Sequence, residues 1–91
     1  MMKLMIIDDE MPILESLKMA LRPTGYECAV FQNSGEAVEA YKREHFDVVI
    51  TDYMMPEMNG IEVLKAIKEI DPEANVIILT GYADIENAIA G

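Results

Sequence analysis

Three carboxylates give the first chemical hint in this 91-residue chain. Asp8 and Asp9 directly follow the apolar run Lys3–Ile7, and Asp52 follows a second run, Asp47–Thr51. If the two runs are neighbouring parallel strands, all three acids converge at the carboxyl edge of the sheet, where open α/β sheets bind ligands. Converging carboxylates repel. Two unit charges ~4 Å apart cost roughly 4 kcal/mol at an effective dielectric near 20. A proton or a cation must relieve that cost. An all-oxygen site suits Mg²⁺, which takes one or two carboxylates and keeps several waters. No cluster of cysteine and histidine suggests zinc. A metal-bound aspartate can also be a nucleophile toward phosphorus, giving an aspartyl phosphate while Mg²⁺ balances the charge. Thr80 ends a further apolar run on the same edge, where its hydroxyl could donate to a phosphoryl oxygen. Gly81 beside it leaves room for a phosphate. The competing reading is three ordinary first-turn acids, which helix dipoles favour. The placement of all three just after apolar strands favours a metal site.

The elements that must position these residues alternate along the chain. Lys3–Ile7 reads as a buried strand. Pro12 suits a first helical turn, so a helix opens near Met11. Its apolar face is Ile13, Leu14, Leu17, Ala20 and Leu21, and Arg22-Pro23-Thr24-Gly25 stops it. Glu27–Phe31 is a second strand. Ser34 can cap a second helix, whose stripe is Ala37, Val38 and Tyr41. His45 falls at the end of that helix, where the dipole favours it, and no partner for it is visible nearby in the sequence. Asp47–Thr51 forms a third strand. Asn59 and Glu62 have capping-box spacing and open a third helix with the stripe Val63, Leu64, Ile67 and Ile70, which Asp71-Pro72 ends. Val76–Leu79 is a fourth strand, and Asp84 can cap a fourth helix. Strands alternating with helices predict an α/β domain with a parallel sheet covered on both faces.

Composition narrows the function. The chain is 52% hydrophobic, enough for one small core. Its 17 acidic residues outnumber 7 basic ones, and the net charge of −10 should repel nucleic acid and anionic membranes while attracting divalent cations and basic protein surfaces. No stretch approaches the roughly 20 apolar residues that span a bilayer. Acids interrupt the N-terminal apolar run too early for a secretory signal, which predicts a cytoplasmic protein. Cys28 is the single cysteine. No internal disulfide can form, and the expected role of Cys28 is a small buried hydrophobe in a strand.

Three segments resemble the receiver domains of two-component response regulators. They are Ile6-Ile7-Asp8-Asp9-Glu10, then Val48-Val49-Ile50-Thr51-Asp52-Tyr53-Met54-Met55-Pro56-Glu57-Met58-Asn59-Gly60, then Val76-Ile77-Ile78-Leu79-Thr80-Gly81. The segment from Asp52 to Gly60 is the most specific, and the resemblance covers the whole chain. It implies a flavodoxin-like doubly wound parallel sheet of order 2-1-3-4. It also implies a phosphoacceptor role for Asp52, charged by a sensor histidine kinase, rather than a turnover enzyme. Mg²⁺ would be bound directly by Asp9, Asp52 and the main-chain carbonyl of Met54, and largely through water by Asp8. Thr80 would bond the phosphoryl group and report it, and Gly60 would permit the tight loop into the third helix.

Receiver domains carry a fifth strand and helix, with a lysine at the end of that strand. The expectation is therefore one domain, residues 1–91, cut short after its fourth unit. Its alternative role is a phosphorylation-incompetent fragment acting in dimerisation or protein interaction. Without a fifth strand, strand 4 becomes an unprotected edge, so a homodimer or oligomer through strand 4 and helix 4 is expected. A haloacid-dehalogenase-type phosphatase would need Asp-x-Asp after its nucleophile strand. Neither Asp8-Asp9-Glu10 nor Asp52-Tyr53-Met54 supplies it.

Overall fold

The computed structural model of the protein describes residues 2–55 and 58–79. The elements run β1 (Lys3–Ile7), α1 (Met11–Leu21), a 3-10 turn (Arg22–Thr24), β2 (Glu27–Phe31), α2 (Ser34–Arg43), β3 (Val48–Asp52), α3 (Gly60–Ile70) and β4 (Val76–Leu79). All strand pairs are parallel, in the order β2-β1-β3-β4. The expected α/β sheet and its strand order are both observed. The fourth helix, Thr80 and Gly81 lie outside the described residues.

Local chemistry explains the boundaries. Pro12 sits in the first turn of α1, where a missing N–H costs nothing. After the 3-10 turn, Gly25 adopts φ 76°, the left-handed conformation that glycine reaches without strain, and the chain turns into β2. The Asn59 side chain accepts from the Glu62 amide at 2.9 Å, and the Glu62 carboxylate accepts from the Asn59 amide at 3.0 Å, completing the expected capping box of α3.

Three sequence readings need correction. Asn33, not Ser34, caps α2, accepting from the Glu36 amide at 2.9 Å. Ser34 is the first helical residue, and its hydroxyl turns inward instead. β3 spans Val48–Asp52 rather than Asp47–Thr51. The Asp47 carboxylate accepts the Lys3 amide at 2.7 Å below the strand, and Asp52 pairs with Leu79 at the other end. His45 does have a close partner: its Nε2 lies 3.2 Å from Asp47 Oδ1, two residues on.

The core is uneven. Met5, Ile7 and Val49 on one sheet face pack with Ala37, Val38, Ala40 and Tyr41 of α2, Val63 and Ile67 of α3, and Phe46 and Ala74. Leu4 and Ile6 alternate onto the opposite face. That is the side of α1, because right-handed crossovers toward β2 and back over β1 to β3 place their helices on opposite faces. There the expected apolar stripe is thinly covered. Leu14 is the one buried residue of α1, and Ile13 is 41% exposed. On α3, Ile70 is also exposed at the last turn. Cys28, on the edge strand β2, is half-buried rather than buried.

Candidate functional site

β1 and β3 are neighbours, with Leu4 opposite Val48 and Ile7 opposite Thr51. Both strands end at the same edge, so the acids that follow them meet. One carboxylate oxygen from each of Asp8, Asp9 and Asp52 lies within 4.8 Å of the others. Asp8 is buried, Asp52 half-buried and Asp9 exposed.

A backbone amide holds the innermost acid, Asp8. The Asp8 carboxylate accepts from the Glu10 amide at 2.9 Å, which also shapes the entry into α1. The backbone amides of Tyr53 and Met54, next along the chain, favour the charged form of the Asp52 carboxyl. Burial pushes the Asp8 carboxyl above the usual aspartate range. The Glu10 amide offsets part of that rise, and the charges of Asp52, Asp9 and Glu10 add to it. Burial raises Asp52 as well, against the two amides and with the charge of Asp9. The site therefore disfavours its own full ionisation, and a cation would relieve that.

The donor set fits a hard cation. It consists only of oxygen, with one ligand open to solvent where water could complete the shell. Asp9, Tyr53, Met54, Met55 and Asn59 line an open cleft of about 440 Å³ beside the acids. Met54 lines this cleft, and the residue is 72% exposed. Asp8, Asp9 and Asp52 are brought together as the sequence predicted, and Met54 stands at the same cleft. Thr80, the remaining site expectation, lies outside the described residues.

The described residues between β3 and α3 are held from several sides. The Tyr53 amide donates to the Leu79 carbonyl at 2.9 Å, and the Gly60 amide donates back to the Tyr53 carbonyl at 2.9 Å. The Ser34 hydroxyl donates to the Met58 carbonyl at 3.1 Å and touches Met55 Sδ at 3.6 Å. Sequence reasoning missed Ser34 at this site. Ser34 and Asn33 both suit an N-cap, and only the helix start decides which side chain is left to turn inward.

Residues 4–91 match the family described as "Response regulator receiver domain". The chain is 34% identical over 85 residues to the response regulator receiver protein CpdR of Brucella abortus, covering 93% of this chain and 71% of that protein. It is 36% identical over 86 residues to the transcriptional regulatory protein ZraR of Klebsiella oxytoca, covering 94% of this chain but only 19% of ZraR. Among solved structures, the response regulator TrrA of Thermotoga maritima in complex with Mg²⁺ and BeF superposes with a TM-score of 0.89 at 33% identity, over 99% of this chain and 78% of that one. TrrA in complex with the histidine kinase ThkA gives a TM-score of 0.85 at 36% identity, over 91% and 72%. With this match across nearly its whole length, and with the fold it shares with those structures, the chain belongs to the response regulator receiver domain family of two-component signalling.

Proposed function

We propose that Asp52 accepts a phosphoryl group from the phosphohistidine of a sensor histidine kinase. Mg²⁺ would be held by Asp9, Asp52 and the Met54 main-chain carbonyl, and through water by Asp8. The observation that carries this reading is the meeting of the three carboxylates within 4.8 Å at the carboxyl edge of the sheet. The structures of TrrA with Mg²⁺ and BeF, and with a histidine kinase, support the choice of ion and of donor. A carboxylate oxygen of Asp52 attacks phosphorus, the N–P bond of the phosphohistidine breaks, and the imidazole leaves and takes up a proton. Bound Mg²⁺ supplies positive charge against the phosphoryl oxygens. The Tyr53 and Met54 amides favour the ionised Asp52 carboxylate that makes this attack. Thr80 would bond the transferred group. The chain acts as a cytoplasmic phosphoacceptor that promotes its own phosphorylation and dephosphorylation, not as a turnover enzyme. Intact mass before and after incubation with acetyl phosphate and Mg²⁺ tests this. One phosphoryl group should be gained and should be absent in Asp52→Asn; uptake by Asp52→Asn would refute the assignment.

Self-association through β4 belongs to the same proposal. Among the described residues β4 is a sheet edge, and Ile77 on it is 50% exposed. An uncharged apolar edge of this kind recruits other strands. The contribution expected of the fourth helix lies outside the described residues.

A further inference from the structure

Ser34 stands on a different element from every acid of the site, yet it reaches the loop that completes it. It is the first residue of α2 and is only 3% exposed. A serine hydroxyl has one hydrogen to donate. Here it points across the domain to the Met58 carbonyl at 3.1 Å, with Met55 Sδ 3.6 Å away. Asn33 already caps α2, so the helix start does not need this hydroxyl. Met55 and Met58 pack their side chains against the core cluster, beside the same contact. Tyr53 and Met54, which follow Asp52 directly in the chain, line the same cleft as Asp9, Met55 and Asn59.

We infer that Ser34 is a positioning residue for the metal site. Its hydroxyl fastens Met55 and Met58 to α2 and so fixes the Met54 carbonyl and the Asp52 carboxylate relative to Asp9. This rests on the Mg²⁺ reading above. Without the hydroxyl, the Met58 carbonyl loses its partner in a partly buried setting, and the loop holds its position less tightly. The neighbouring side chains would remain, so the fold would persist while metal affinity falls.

The test is a calorimetric Mg²⁺ titration of the full chain in four forms: wild type, Ser34→Ala, Asp9→Ala and Tyr41→Phe. Tyr41 is the control. Its hydroxyl donates to Asp71 at 3.2 Å, so it too ties α2 to the α3 region, but at the far end from the acids. Ser34→Ala should bind Mg²⁺ roughly threefold to tenfold more weakly, the range that one lost hydrogen bond spans. Tyr41→Phe should lose stability toward urea but keep wild-type affinity. Wild-type affinity in Ser34→Ala, with binding lost in Asp9→Ala, would overturn the role of Ser34 alone. Equal weakening in Tyr41→Phe would overturn it too, since general loosening would then suffice. Undiminished binding in Asp9→Ala would overturn the metal site and the role of Ser34 with it. Should Ser34→Ala fail to fold, the wild-type chain carries the test. Added Mg²⁺ should move the amide resonances of Ser34, Met55 and Asn59 together and leave Glu39 and Lys42 in place. A stationary Ser34 would overturn the inference.

Discussion

A Cβ atom added to Gly60 would sit 2.8 Å from the main-chain carbonyl oxygen of Asp52 and 3.0 Å from the Tyr53 Cα. Both neighbours are backbone, so neither yields without moving the strand end that carries the acid. Gly25 is the only glycine among the described residues with positive φ, so the need at Gly60 is space rather than an unusual backbone angle. Gly60→Ala should lose about 1–3 kcal/mol of stability, read from the urea midpoint, and should weaken Mg²⁺ binding as well. An unchanged midpoint would mean that the corner relaxes without cost.

The acid site sets a pH dependence. Burial raises the folded-state pKa values of Asp8 and Asp52 above the ordinary 3.8. The folded chain then holds more protons than the unfolded chain, so their contribution is complete below the ordinary value and is lost as pH rises through the raised ones. Asp47 works in the opposite sense. The Lys3 amide lowers its pKa, so its contribution is present above 3.8 and lost as pH falls. Urea titrations of the metal-free chain from about pH 4 upward should show the first effect. Asp52→Asn should flatten the slope and raise metal-free stability at neutral pH.

Mg²⁺ should reverse that loss. Binding to the folded state alone stabilises by mass action, by about 2.7 kcal/mol at a hundredfold excess over the dissociation constant. The melting temperature should therefore climb with added Mg²⁺ in the wild type and stay level in Asp9→Ala. Monovalent salt at matched ionic strength separates specific binding from screening of the −10 net charge.

The β4 edge seen among the described residues gives a prediction about assembly. Ile77→Lys places a charge on β4, a common device against edge pairing. The wild type should scatter light as an oligomer at tens of micromolar, and the variant should not, with both retaining the same circular dichroism. A monomeric wild type would refute association through β4.

Much of this was readable from residue order because the governing signals are local. Continuous apolar runs mark β1 and β4 to the residue, and the Asn59–Glu62 capping box marks the start of α3. The acids could be placed together because parallel topology forces two strand ends to one edge. Contacts between distant segments left no such trace. The Ser34–Met58 bond joins residues 24 apart, and nothing in the spacing distinguishes an inward serine from a capping one. The α1 stripe misled for a related reason. Periodicity tells which face is apolar but not how much of that face another element covers, and Ile13 stays 41% exposed.

The thin anchoring of α1 bears on motion. α2 buries five of its residues, whereas α1 buries Leu14 alone. Segments with few buried contacts open at a lower free energy than the rest of a domain. α1 should thus swing free in excursions that leave the sheet, α2 and α3 intact. Its N-cap, Glu10, is bonded through its amide to the Asp8 carboxylate. An ion that orders Asp8 would therefore also slow the opening of α1, and amide exchange at Leu14 to Lys18 would register occupancy of the acid cluster from two turns away.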